Sequence, residues 1–137
     1  MNREQLKEIL PHREPMLLVD EAELQPDGTA HGRYTIRGDE WFLQGHFPGN
    51  PTVPCVVLCA RMGQTCCVML AEQLKGKTPY FTGIDKVKFR HPVKPGDTLE
   101  MECAVTREFK SFYFTHSKGS VNGKLAVSGD LSFAVVG

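Results

Sequence analysis

This sequence has no excess charge of either sign. Lysine plus arginine and aspartate plus glutamate are each 16 of 137 residues, a formal net charge of zero. A dedicated nucleic-acid binder needs surplus cations against phosphate, so that class is set aside, while a local basic patch for an acidic partner stays open. The opening residues MNREQLKEIL are charged and have neither the apolar stretch nor the small-residue cleavage site of a signal peptide, so none is expected. A disulfide framework is not suggested either. The cysteines number five, an odd count, and Cys55, Cys59, Cys66 and Cys67 crowd one apolar stretch with Cys103 apart. A reduced, cytoplasmic setting is the expectation. Cys55 and Cys59 stand four apart, but no CxxC pair or HxxxH partner accompanies them, so buried thiols and no metal site are expected. Repeats, low-complexity segments and linkers are absent, and a chain of this length suits one domain, residues 1–137, with its own core.

Apolar residues make up 41% and charged residues 23%, a globular balance. The longest apolar run, residues 55–74, is about long enough to cross a bilayer. Arg61, Gln64, Glu72 and Gln73 interrupt it and prolines precede it, which favours a buried helix over a membrane span. A short helix is expected where Leu6, Ile9 and Leu10 share a face before Pro11. Strands are expected over residues 16–24, 29–36, 80–89, 98–109, 112–121 and 124–136, broken by the turn signals PDG, KPGD and VNG. Residues 37–54, with three prolines and three glycines, form a structured loop between them. One long helix and about six hairpin-linked strands make an α+β domain with an antiparallel sheet. A helix apolar on every side must be covered on every side, so a wrapped sheet and a second protomer are expected, as an obligate dimer.

Chemistry concentrates in GHFPGNPTVPC, residues 45–55. Gly45 and Gly49 permit tight turns, Pro48, Pro51 and Pro54 stiffen the path, and His46 is held in one orientation. Pro54 opens the helix, leaving the N–H groups of Cys55, Val56 and Val57 free to stabilise an oxyanion. A histidine base beside such donors suits proton abstraction next to a carbonyl. A structural histidine in a stiff loop is the competing reading of the same pattern.

Together GHFPGNPTVP, the helix ending in MGQ, YFTGIDKVKFRHPVKPGD, VNGKLAVSGDLSF and the early LPHREPMLLVD cover nearly the whole chain in order. In these motifs the sequence resembles the β-hydroxyacyl-acyl-carrier-protein dehydratases of type II fatty-acid synthesis. The resemblance implies a hotdog fold, its long helix wrapped by an antiparallel sheet, in dimers that often assemble three to a hexamer. It implies (3R)-hydroxyacyl substrates carried on the phosphopantetheine of acyl carrier protein, dehydrated to trans-2-enoyl thioesters without a further cofactor. His46 then aligns with the catalytic histidine. The backbone N–H of Cys55, where glycine is usual, aligns with the donor to the thioester carbonyl, and Val56, Gly49, Phe47, Phe81 and Gln64 fall in the substrate region. Phe42 and Val53 are further candidates for the acyl tunnel.

One departure is chemical. The family's helix carries a glutamate that works across the dimer interface opposite histidine, and register from Pro54 and from Met62-Gly63-Gln64 places Ala60 there. No carboxylate lies between Glu40 and Glu72. Loss of the acid that protonates the departing hydroxyl implies much-reduced dehydration with binding retained. A non-catalytic carrier-binding subunit of an active dehydratase is the alternative, and a thioesterase on the same fold ranks lower because such enzymes typically rely on an acidic residue near this helix. Arg61, a cation in a helix expected to be buried, needs a partner, a route to solvent or different packing. In KVKFRHPVK, strand alternation puts Lys86, Lys88 and Arg90 on one face. That face is either solvated or, with help from Arg61, Lys75 or Lys77, a docking patch for the acidic carrier.

Overall fold

Alternating apolar and polar residues draw the chain into six strands: β1 (Glu21–Leu24), β2 (Ala30–Thr35), β3 (Thr78–Phe89), β4 (Thr98–Phe109), β5 (Phe112–Val121) and β6 (Lys124–Val136). The structure, a computed structural model, describes residues 1–136. Neighbouring strands run antiparallel in one sheet of order β1-β2-β4-β5-β6-β3. Inward positions of β2, β4, β5 and β6 are buried, among them Tyr34, Leu99, Met101, Thr115 and Leu131. On the outer face charges alternate across the strands: Glu21 faces Arg33, which faces Glu100, and Glu23 faces His31, Glu102 and then Lys118. Opposite charges side by side support the ladder modestly.

Against the inner face lies α2 (Cys55–Cys67), packed on β2, β4 and β5, which gives the α+β hotdog architecture. Its depth is set by Gly32, where a Cβ would fall 2.6 Å from Thr65 Oγ1. The helix is shorter than its apolar run suggested: it gives way at Val68–Leu70 to a 3-10 turn. That tightened turn lets both Leu70 and Leu74 reach the core. Likewise α1 (Arg3–Leu6) is a single turn held by a reciprocal Asn2–Gln5 capping box, with Leu10 buried beyond its end.

Residues 16–19, expected in the first strand, form no ladder: Met16 and Leu18 bond side chains of α2, while the Leu17 and Val19 carbonyls accept from Arg3. Gln64 Oε1 accepts from Leu18 N–H at 2.8 Å and Gln64 Nε2 donates to Met16 O at 2.7 Å. Arg61 Nε donates to Leu18 O at 2.9 Å. Leu17, Leu18 and Val19 are thus buried without a ladder. At the opposite edge, β3 pairs among the described residues only with β6 and has no buried residue along its length, leaving Tyr80, Phe81, Ile84 and Phe89 exposed.

Candidate active site

His46 sits in a loop whose shape is fixed by backbone bonds. Gly45 and Gly49 have φ of +80° and +73°, where a side chain would be strained. Phe47 and Asn50 exchange N–H and carbonyl groups at 3.1 and 2.9 Å, and Thr52 N–H returns to His46 O at 2.8 Å. The His46–Phe47 peptide is cis, and the Phe47 ring stacks on the imidazole at 4.2 Å. His46 Nδ1 lies 3.0 Å from Thr52 O. A carbonyl only accepts, so in the neutral ring Nδ1 carries the proton and Nε2 keeps its lone pair. That is the tautomer a base requires, and no residue pattern announces that Thr52 fixes it.

Next to this loop, Val53 N–H bonds Val93 O at 2.8 Å and Pro54 caps α2. Three free donors were expected at the start of the helix. Val57 N–H is instead turned back to Pro54 O at 3.0 Å, leaving the N–H groups of Cys55 and Val56 without a partner among the described residues. Both residues are exposed, Val56 at 76%. No acidic residue and no side-chain cap occupies this first turn. Two unpaired donors and the positive end of the helix dipole therefore face outward.

Further along α2, Ala60 presents a half-buried methyl group. Two neighbours depart from expectation. Gln64, placed in the substrate region, is 3% exposed, and its amide oxygen and nitrogen each hold a backbone group of Leu18 and Met16. Arg61, placed with the docking patch, is fully buried and takes no part in any surface. Its guanidinium carbon lies 4.1 Å from the Tyr34 ring centre and 5.3 Å from that of Phe42. Burial lowers its pKa to about 10, with Tyr34, Glu40 and Asp20 opposing the fall, so it stays charged at neutral pH.

Lys86, Lys88 and Arg90 are all exposed. A bulge between Asp85 and Lys88, with Lys86 at φ +53°, breaks the simple alternation expected of them. Phe81 stacks on Phe133 at 5.0 Å, and a Cβ at Gly63 would meet its ring at 2.5 Å, so Phe81 lies directly over α2. Phe42 and Val53, considered for a tunnel, are buried in the core of the chain.

Residues 10–130 match the FabA-like domain family. Among curated relatives, the 3-hydroxyacyl-acyl-carrier-protein dehydratase FabZ of Clostridium perfringens is 42% identical over 137 residues, covering 98% of this chain and 99% of its own. The enzyme of the same name from Oenococcus oeni is 38% identical over 138 residues, with the same coverage of each chain. Among solved structures, the dehydratase heterocomplex ApeI:P of Xenorhabdus doucetiae aligns with a TM-score of 0.81 at 20% identity, over 94% of this chain and 89% of that one. Cj0977 of Campylobacter jejuni aligns with a TM-score of 0.71 at 16% identity, over 96% and 86%. The two structures share the fold, and the full-length sequence matches carry the assignment. The chain belongs to the FabA-like family, among the 3-hydroxyacyl-acyl-carrier-protein dehydratases, which are hydro-lyases.

Proposed function

We propose that this chain supplies the base and the carbonyl-binding half of a (3R)-hydroxyacyl-acyl-carrier-protein dehydratase site and lacks the acid half. The observation that carries this is His46 with Nδ1 committed to Thr52 O, beside a helix start with two unpaired N–H groups and no carboxylate along α2. Nε2 takes the α-proton of the thioester. The N–H groups of Cys55 and Val56 hold the carbonyl oxygen as negative charge develops on it. Neither step asks for a metal or prosthetic group, since the substrate arrives on phosphopantetheine. Hydroxide, however, leaves poorly unless protonated, and Ala60 has no proton to give.

A positioned general acid contributes roughly 10²–10⁴-fold. Restoring one by Ala60→Glu is expected to raise the hydration rate of a four-carbon trans-2-enoyl thioester within that range, and His46→Ala is expected to abolish the gain. An unchanged rate in Ala60→Glu sinks the idea that position 60 is simply a missing acid. It would favour the second reading, a carrier-binding subunit of an active dehydratase. That reading has support in the structural likeness to a protein described as a dehydratase heterocomplex.

A second protomer is part of the proposal. A 12-residue edge strand without a buried residue, and the exposed Val56 and Phe47, leave apolar side chains that ask for cover. Lys86, Lys88 and Arg90 at the end of that strand offer cations to the acidic carrier. The setting that suits this partner and five free thiols is the cytoplasm.

A further inference from the structure

Arg61 has the largest side chain among those fully buried, yet its two terminal nitrogens have no hydrogen-bond partner among the described residues. A guanidinium satisfied only through Nε is an expensive way to fill volume, which methionine would fill without a charge to desolvate. What the guanidinium has instead is two aromatic faces, Tyr34 at 4.1 Å and Phe42 at 5.3 Å. Phe42 lies on the path that delivers His46, and Tyr34, in β2, is hydrogen-bonded to the start of that path. The Tyr34 hydroxyl donates to Glu40 Oε2 at 2.8 Å and accepts from Arg37 at 2.8 Å. Glu40 also accepts the N–H groups of Arg37 and Gly38 at 3.0 and 2.7 Å, closing the start of the loop. Phe42 belongs to the 3-10 turn Trp41–Leu43, and Leu43 O accepts the His46 N–H at 3.1 Å.

We infer that Arg61 is a positioning residue. It clamps the segment from Arg37 to Gly45 onto α2 through Tyr34 and Phe42, and so fixes the place from which His46 presents Nε2. This rests on His46 being the base.

The clamp makes a prediction that ordinary core packing does not, because stability and site order should separate. Arg61→Met keeps apolar volume and removes the unpaired charge, so its thermal midpoint should be no lower than that of the parent chain. Its loop should nevertheless loosen. Trp41, the only tryptophan, is half-exposed and lies edge-on to Phe42 at 5.6 Å, so it reports this directly. Its emission should shift to the red and become more accessible to acrylamide. The His46 ring nitrogen resonances, assigned with His46→Ala, should broaden or shift.

In the Ala60→Glu background, Arg61→Met should lower kcat on the order of tenfold or more with little change in KM, since misplacement of a reacting group by about 1 Å costs up to 10²-fold. Phe42→Leu, which removes one of the two rings, should move the His46 resonances in the same way, and the two changes combined should be less than additive. Unchanged Trp41 and His46 signals in Arg61→Met overturn the clamp, as does a loss of stability that accounts for the loosening. Should Arg61→Met fail to fold, unchanged His46 resonances in Phe42→Leu overturn it instead. A His46→Ala chain that keeps the Ala60→Glu rate removes the base assignment, and the spectroscopic readouts then judge the clamp alone.

Discussion

His46 donates through Nδ1 to the Thr52 carbonyl, and Thr52 returns its own N–H to the His46 carbonyl, so the ring's hydrogen bond is to backbone and not to a carboxylate. That His46 sits in a fixed loop was legible in the sequence because glycines and prolines bracket it. Its partner was not, because a carbonyl has no residue signature. Glu40 is a second residue with a single task. Desolvation raises its pKa, but the N–H groups of Arg37 and Gly38 and the Tyr34 hydroxyl outweigh that and hold it below the ordinary 4.5. A carboxylate depressed by folding contributes stability that is complete above its unfolded value and is lost as pH falls through its folded one. Titration downward from pH 4.5 should therefore release the loop first, seen as a Trp41 emission change ahead of the loss of far-ultraviolet ellipticity. In Glu40→Gln that early change should be absent, and if it persists there, Glu40 is not its source.

At the scale of elements, the strands from Thr98 to Val136 fall where alternation and turn residues put them, since each hairpin is specified by local pattern. Residues 16–19 read as strand from composition and are held as none, because Met16 and Leu18 bond side chains 43 to 48 residues away on α2 and Leu17 and Val19 bond Arg3. No periodicity in a short apolar segment announces such a partner. Gln64 thus does the work of a missing strand. Gln64→Leu leaves the buried Leu18 N–H without an acceptor, a loss of about 1–3 kcal/mol. Chemical denaturation should show that loss with an unchanged slope. A change below about 0.5 kcal/mol would mean that a water replaces the amide.

For the whole molecule, the requirement that α2 be covered on every side was legible, and within one chain it is met only in part. Leu58, Cys59 and the helix from Arg61 onward are buried by the sheet and by residues 16–19, while Cys55, Val56 and the edge strand β3 lie open. A dimer should sediment at twice 15.3 kDa. Ile84→Lys, in the middle of that edge at 53% exposure, should shift the population toward the single chain in a concentration-dependent way. A variant that stays dimeric at micromolar concentration would place the interface elsewhere. The grip of α2 on the N-terminal segment also bears on how the molecule tolerates sequence drift. Gln64 and Arg61 hold an amide and two carbonyls rather than side chains, so Met16 is recognised by a group every residue possesses and Leu18 by groups every residue but proline possesses. The exposed Met16 side chain is therefore free to vary without loosening the hold, whereas proline at position 18, alone among conservative-sized replacements, removes the N–H that Gln64 needs.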